Sequence, residues 1–266
     1  MNQIICGDLL EKIPFLPDNS IDLVLTSPPY ASQRKNLYKS INEEAYPVWC
    51  MDWMGALWHK LSPNGSVLIV IRTHLRQGAI SDYVLKSRLL LREQGWIENE
   101  ELIWFKRDAP PLGSLERPRR CFEQILWFSK SSKPYIDLYA CGKETKKTTF
   151  AGSTRFGEAV VKKKNEFFKT KKSRVTDVFD VPISYIEKGI PHPAMYPTRL
   201  CENLILTFSK SGDTILDPFF GSGTTGMAAA SLGREFIGID ASAEYCEIAK
   251  KRILLKFPTC TIFETM

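Results

Sequence analysis

The chain has 266 residues, 44% hydrophobic and 25% charged, which suits a globular α/β domain and excludes disordered or collagen-like classes. No apolar run approaches the roughly 20 residues that cross a bilayer, and the opening MNQIICGDLLEK lacks a basic stretch ahead of an apolar core, so neither a membrane nor a secreted destination is expected. The net charge of +6 is uneven: residues 143–174 hold eleven Lys and Arg against three Glu, so the basic character belongs to one segment and the remainder is slightly acidic.

In chain order, NQIIC and IDLVL read as short buried strands on either side of a helix over 9–13. The second strand is stopped by Pro28 and Pro29, neither of which has an N–H to donate to a sheet ladder. Residues 31–45 are polar and predict a loop. A helix is predicted over 47–61, with Trp49, Trp53 and Trp58 at near-helical spacing. SPNG is a turn signal, and SVLIVI after it is a buried strand. A helix over 79–94 ends near Gly95. WIENEELIWF and CFEQILWFSK predict two more strands, separated by the proline-rich stretch 109–113.

From 139 to 184 the periodicity fades, and small, polar and basic residues alternate with Phe150, Phe156, Phe167 and Phe168. This reads as an insertion. The pattern returns with a helix over 197–208, the strand TILDPF, a glycine-rich turn, a helix to 232, the strand EFIGID, a helix over 243–255 and a last strand, CTIFE. Strands alternating with helices predict an α/β fold, a doubly wound, mostly parallel sheet covered on both faces. The divisions are 1–138, 139–184 and 185–266. Seven cysteines without a C-x-x-C pair, and three scattered histidines, predict neither a disulfide framework nor a metal site, and fit a reducing cytoplasm.

The stretch ILDPFFGSGTTGMAAA carries chemistry. A strand feeds the turn Gly221-Ser222-Gly223, and a helix of small residues follows. Glycine lets the backbone approach a ligand without a Cβ between. Asp240, at the end of the next strand, can accept hydrogen bonds from both hydroxyls of a ribose, as in doubly wound nucleoside sites. A Walker phosphate loop needs Lys after its last glycine; here Thr224 and Thr225 follow Gly223. Asp217, before the turn, would repel a pyrophosphate and attract a cation. S-adenosylmethionine, with an ammonium, a sulfonium and no phosphate, meets that requirement.

TSPPY at 26–30 and DPFFGSGTT at 217–225 together resemble the catalytic and cofactor motifs of amino-group DNA methyltransferases. HPAMYPTRLCENLI at 192–205 and GDLLEKIPFLPDNSIDLVLTSPPY at 7–30 are similar to other segments of that family. The catalytic motif comes first, the cofactor motif last and a basic region between, which corresponds to the family's β arrangement. The resemblance implies a Rossmann-like methyltransferase fold, with 1–138 as the catalytic half, 139–184 as the target-recognition insertion and 185–266 as the cofactor half. Ser27, Pro28, Pro29 and Tyr30 correspond to the catalytic corner. Asp8, Thr198, Asp217, Phe219, Gly221, Ser222, Gly223, Thr224 and Asp240 correspond to positions that bind S-adenosylmethionine, with Asp8 also readable as a helix N-cap.

The chemistry implied is direct methyl transfer to an exocyclic base amine. That nitrogen is a poor nucleophile while its lone pair is delocalised into the ring. Acceptors aimed at its two N–H bonds, Ser27 Oγ and the Pro28 carbonyl, favour a tetrahedral nitrogen, and the rigid prolines preorganise them. Tyr30 can stack on the base, which must leave the duplex to be reached. No cysteine follows a proline, so the nucleophile for carbon-5 methylation is absent. By association, Ser at position 27 goes with N4-cytosine and Asp with N6-adenine; adenine stays as the alternative.

Double-stranded DNA is the implied partner. Arg34 and Lys35 after the catalytic corner, and Arg155, Lys162, Lys163, Lys164, Lys169, Lys171, Lys172 and Arg174 in the insertion, are candidates to contact it. Binding through phosphates is then expected to weaken steeply with salt, and a flat response removes the assignment. A separate cognate restriction endonuclease and, through the aromatics of 46–58, a second subunit are further expected partners. The rivals are a methyltransferase acting on an amide or an RNA base, against which the motif order argues, and a catalytically inert DNA-binding module, which would not bind the cofactor.

Overall fold

The computed structural model describes residues 2–32, 41–111, 116–149, 170–187 and 196–265. Its strands are β1 (Asn2–Cys6), β2 (Ile21–Thr26), β3 (Leu61–Ile71), β4 (Leu75–Arg76), β5 (Ala79–Ile80), β6 (Ile97–Phe105), β7 (Phe122–Ser129), β8 (Glu144–Thr149), β9 (Thr170–Lys172), β10 (Val178–Asp180), β11 (Thr214–Asp217), β12 (Glu235–Asp240) and β13 (Ile262–Thr265). The α-helices are α1 (Leu9–Lys12), α2 (Tyr46–Leu57), α3 (Tyr83–Glu93), α4 (Thr198–Phe208), α5 (Thr224–Ser231) and α6 (Ala243–Lys256).

Nine strands form one sheet in the order β10-β6-β7-β3-β2-β11-β12-β1-β13. Only β7 runs against the rest. Successive residues of a strand point to opposite faces, and the buried strands use both. On β2, Leu23 and Leu25 enter the core beneath α4, α5 and α6, whereas Ile21 and Val24 enter the core beneath α1, α2 and α3. On β3, Leu68 and Val70 face the first core, and Val67, Ile69 and Ile71 face the second. Burial on both faces is why these strands read as continuous apolar runs. Helix α4 adds Leu200, Cys201, Leu204, Ile205 and Phe208. Burying each such leucine contributes about 1.5–3 kcal/mol.

Three expectations change. The SPNG turn lies within β3: Ile21 pairs with Leu61 but Leu23 with Ser66, so the intervening residues bulge out of register. The helix expected from 79 starts at Tyr83, because 75–80 fold as the β4–β5 hairpin. Gln77 (φ 49°) and Gly78 (φ 80°) form its two-residue turn, the left-handed pair that such hairpins favour. Part of the stretch 139–184 belongs to the main sheet. Strands β8 and β9 pair outside the main sheet, but β10 pairs with β6 as its edge strand, with Phe179 and Val181 buried. Three residues are too short to show a period.

Candidate active site

The carboxyl ends of β1, β2, β3, β6, β10, β11 and β12 lie along one edge of the sheet, where doubly wound folds place ligands. Ser27 follows the last residue of β2, and Asp217 is the last residue of β11. The two strands are hydrogen-bonded neighbours. Thr26 Oγ1 donates to Asp217 Oδ1 at 2.7 Å, which holds the serine–proline corner beside the start of the glycine-rich turn. Pro28 is buried, and Ser27, Pro29 and Tyr30 are half-buried.

Asp217 is 2% exposed. Its Oδ1 also accepts from the Phe219 N–H at 3.1 Å, and its Oδ2 accepts from Thr225 Oγ1 at 2.6 Å and the Tyr196 hydroxyl at 3.2 Å. Both oxygens are therefore used inside the protein. Through these bonds the carboxylate is a joint tying β2, α5 and the segment before α4 to β11. Burial pushes its pKa up to about 6, against the opposing hydrogen bonds from Thr225 and Thr26.

This buried acid makes stability depend on pH. A folded pKa above the unfolded value stabilises the fold fully below about pH 4, and the contribution is lost as pH rises through about 6. Asp217→Asn removes the titration. Urea unfolding is expected to show wild type losing about 2–3 kcal/mol relative to this variant between pH 4 and pH 8, at 1.36 kcal/mol per pKa unit. Parallel stability profiles would disprove this account of the joint.

Asp240 ends β12. Its Oδ2 accepts from the Gly221 N–H at 2.7 Å and its Oδ1 from the Ser242 N–H at 2.8 Å, while its carbonyl accepts from the Gly7 N–H at 2.9 Å. Burial raises its pKa. These bonds leave lone pairs on both oxygens and bring Asp240, Gly221 and the Gly7–Asp8 turn together. Asp8 is exposed and caps α1, accepting from the Leu10 N–H at 2.8 Å. Thr198 is the half-buried first residue of α4.

The glycine-rich turn is closely packed. Gly221, Ser222, Gly223 and Thr224 are buried. Gly223 has φ +80°, and a Cβ there would lie 2.7 Å from Ala249 Cβ on α6. A Cβ on Gly238 would lie 2.3 Å from the Phe220 ring. These glycines thus make room for side chains and for α6, and Arg252 on α6 donates to the Ser222 carbonyl. The Phe219 ring packs against Trp49 at 5.4 Å and Trp53 at 5.6 Å between centroids. Trp58 packs edge-on against Trp96. The aromatics expected to meet a second subunit are therefore used within the chain.

Tyr30 is held from the opposite side. Its hydroxyl donates to Glu123 Oε2 at 2.8 Å, and Lys106 pairs with the other oxygen of Glu123. Lys106 Nζ lies 4.0 Å from the Trp104 ring centroid, and the Trp104 indole donates to the Val181 carbonyl at 2.7 Å. Burial, then the Glu123 carboxylate, hold the phenol well above its usual pKa, against an opposing hydrogen bond from Ser27. Sequence reasoning missed Thr26, Tyr196, Thr225, Lys106 and Glu123. Tyr196 had a signal, its place directly before Pro197; Lys106 and Glu123 had none locally.

Of the DNA contacts expected, Arg34, Lys35, Arg155, Lys162, Lys163, Lys164 and Lys169 lie outside the described residues. Lys171 is on β9, and Lys172 and Arg174 are exposed at its end.

Residues 21–251 match the family model described as DNA methylase. The chain is 28% identical over 274 residues to the type II methyltransferase M.HinfI of Haemophilus influenzae, covering 95% of this chain and 68% of that protein. It is similar to the solved structure of the PvuII DNA methyltransferase (cytosine-N4-specific), with a TM-score of 0.74, 25% identity and 96% and 87% of the two chains covered. It also shares its fold with the M1.HpyAVI–SAM complex, with a TM-score of 0.62, 24% identity and 95% and 99% covered.

Proposed function

The chain belongs to the DNA methylase family, and from that premise we propose that it methylates the exocyclic N4 of a cytosine turned out of duplex DNA, with S-adenosylmethionine as methyl donor. The observation that carries the reading is the Thr26–Asp217 hydrogen bond, which holds the acceptor corner against the cofactor strand.

The residues suit this cofactor. No Lys or Arg occurs between Thr214 and Thr225, as fits a ligand without phosphate. In this reading Asp240 accepts from the ribose hydroxyls, Asp8 contacts the adenine, and Phe219, flanked by Trp49 and Trp53, gives an apolar wall. When bound, S-adenosylmethionine supplies an electrophilic methyl on a positively charged sulfur.

The chain's own residues prepare the nucleophile. Ser27 Oγ and the Pro28 carbonyl accept the two N–H bonds of the base amine, so its lone pair turns out of conjugation and toward the methyl. Tyr30, fixed by Glu123, stacks on the base, a contact worth about 1–3 kcal/mol. Proximity and alignment contribute much of the rate, and no covalent enzyme intermediate is required.

Support for cytosine comes from Ser27 and from the likeness to a protein described as cytosine-N4-specific. Incubating duplex DNA with labelled S-adenosylmethionine and digesting to nucleosides is expected to return the label in N4-methylcytosine. Label in N6-methyladenine would overturn the choice of base. Absence of label from DNA, with cofactor still bound, would favour the inert DNA-binding module. Methylome sequencing of an expressing host then defines the recognition sequence.

A further inference from the structure

We propose that Arg72 and Arg120 form a phosphate clamp at the mouth of the active site, gripping the DNA backbone beside the extruded nucleotide. The inference rests on the DNA methylation reading above and adds a binding site outside the basic insertion.

Arg72 follows the last residue of β3, and Arg120 lies two residues before β7. The two strands are antiparallel neighbours with Ile71 opposite Gln124, so both arginines stand at the carboxyl edge, next to Glu123. Both are half-buried. Arg120 Nη2 donates to the Thr73 carbonyl and, at 3.3 Å, to its hydroxyl. Arg72 Nε is buried without a hydrogen-bond partner.

Neither arginine makes an ion pair among the described residues. The carboxylates that share the surroundings of Tyr83 with Arg120 are Glu123 and Glu43, and both are engaged. Glu123 holds Tyr30 and Lys106. Glu43 holds His74 at 2.6 Å, Ser81 at 2.6 Å and Arg76 at 3.7 Å. Burial and the neighbouring Arg72 hold the Arg120 guanidinium below its usual pKa.

Two like charges half withdrawn from water, whose nearby carboxylate Glu123 is already shared with Tyr30 and Lys106, are unfavourable. An anion with several acceptors relieves this, and guanidinium groups match phosphate oxygens in geometry. A sulfonium would be repelled. The pair stands on β3 and β7, on the far side of β2 from the cofactor strands β11 and β12, which is the substrate side. The clamp fixes the position of the backbone and carries no sequence information.

The test uses duplexes carrying the recognition sequence, with each phosphate near the target nucleotide replaced in turn by a neutral methylphosphonate. For wild type, one position is expected to weaken binding by about ten-fold or more, the scale of a lost charge-assisted hydrogen bond. The Arg72→Gln/Arg120→Gln variant is expected to bind the unmodified duplex more weakly by a similar factor and to be indifferent to that replacement. S-adenosylmethionine affinity reports correct folding; should the double variant fail it, Arg72→Gln alone carries the test, since the Nε of Arg72 holds nothing internally. Equal sensitivity of wild type and variant at every position would overturn the clamp while leaving DNA methylation intact. Failure of wild type to bind any duplex, with cofactor bound normally, would overturn both.

Discussion

Replacing Ser27 with alanine is expected to lower kcat by about 10²–10³-fold, the effect of removing one preorganised group from a reacting centre. The affinity for S-adenosylmethionine is expected to stay within about two-fold, because an interaction made with the base in the transition state is not made with the bound cofactor. The geometry supports the separation. The Asp217 joint is made by Thr26, not Ser27, and Ser27 is only half-buried, so the loss of its hydroxyl leaves the packing of the corner in place. Single-turnover methyl transfer and cofactor titration measure the two quantities. A cofactor affinity that falls as far as the rate would show that Ser27 belongs to the cofactor site.

Asp240→Ala is expected to show the opposite pattern: S-adenosylmethionine binding weakened by about ten- to hundred-fold or more, with kcat at saturating cofactor changed little. A charged acceptor facing two ribose hydroxyls loses hydrogen bonds worth about 1.5–3 kcal/mol each. The same carboxylate holds the Gly221 and Ser242 N–H groups, so the variant also loosens the turn that surrounds the cofactor, and both effects fall on affinity. Isothermal titration and rates at high cofactor separate them from chemistry. Indistinguishable losses of affinity and of rate in both variants would sink the division of labour between the two ends of the site.

Asp217 and Asp240 show how similar strand-end carboxylates acquire different roles. Each follows a buried apolar strand and sits beside the glycine-rich turn, so their sequence contexts look alike. In the fold, Asp217 is surrounded by three hydroxyls and an amide, whereas among the described residues Asp240 accepts from two backbone amides. The hydroxyl donors come from β2, α5 and Tyr196, two residues before α4. No local pattern links Thr26, Tyr196 and Thr225, because their convergence depends on β2 lying next to β11 in the sheet.

Local chemistry in the sequence determined the alternation of strands and helices, the proline corner at 28–29, the glycine-rich turn and the strand-end aspartates. Each follows from periodicity over a few residues or from the special backbones of Pro and Gly, which act wherever the residue occurs. Only the tertiary structure decided that Asp217 is tied up by hydroxyls while Asp240 accepts from backbone amides, that Glu123 and Lys106 hold Tyr30, that Trp49 and Trp53 of α2 turn inward onto Phe219, and that Arg72 and Arg120 stand at the same edge of the sheet. Those depend on strand order and on contacts between residues far apart in the chain. Burial, which sets what a charge or a hydroxyl costs and whom it must meet, does not exist until the sheet is assembled.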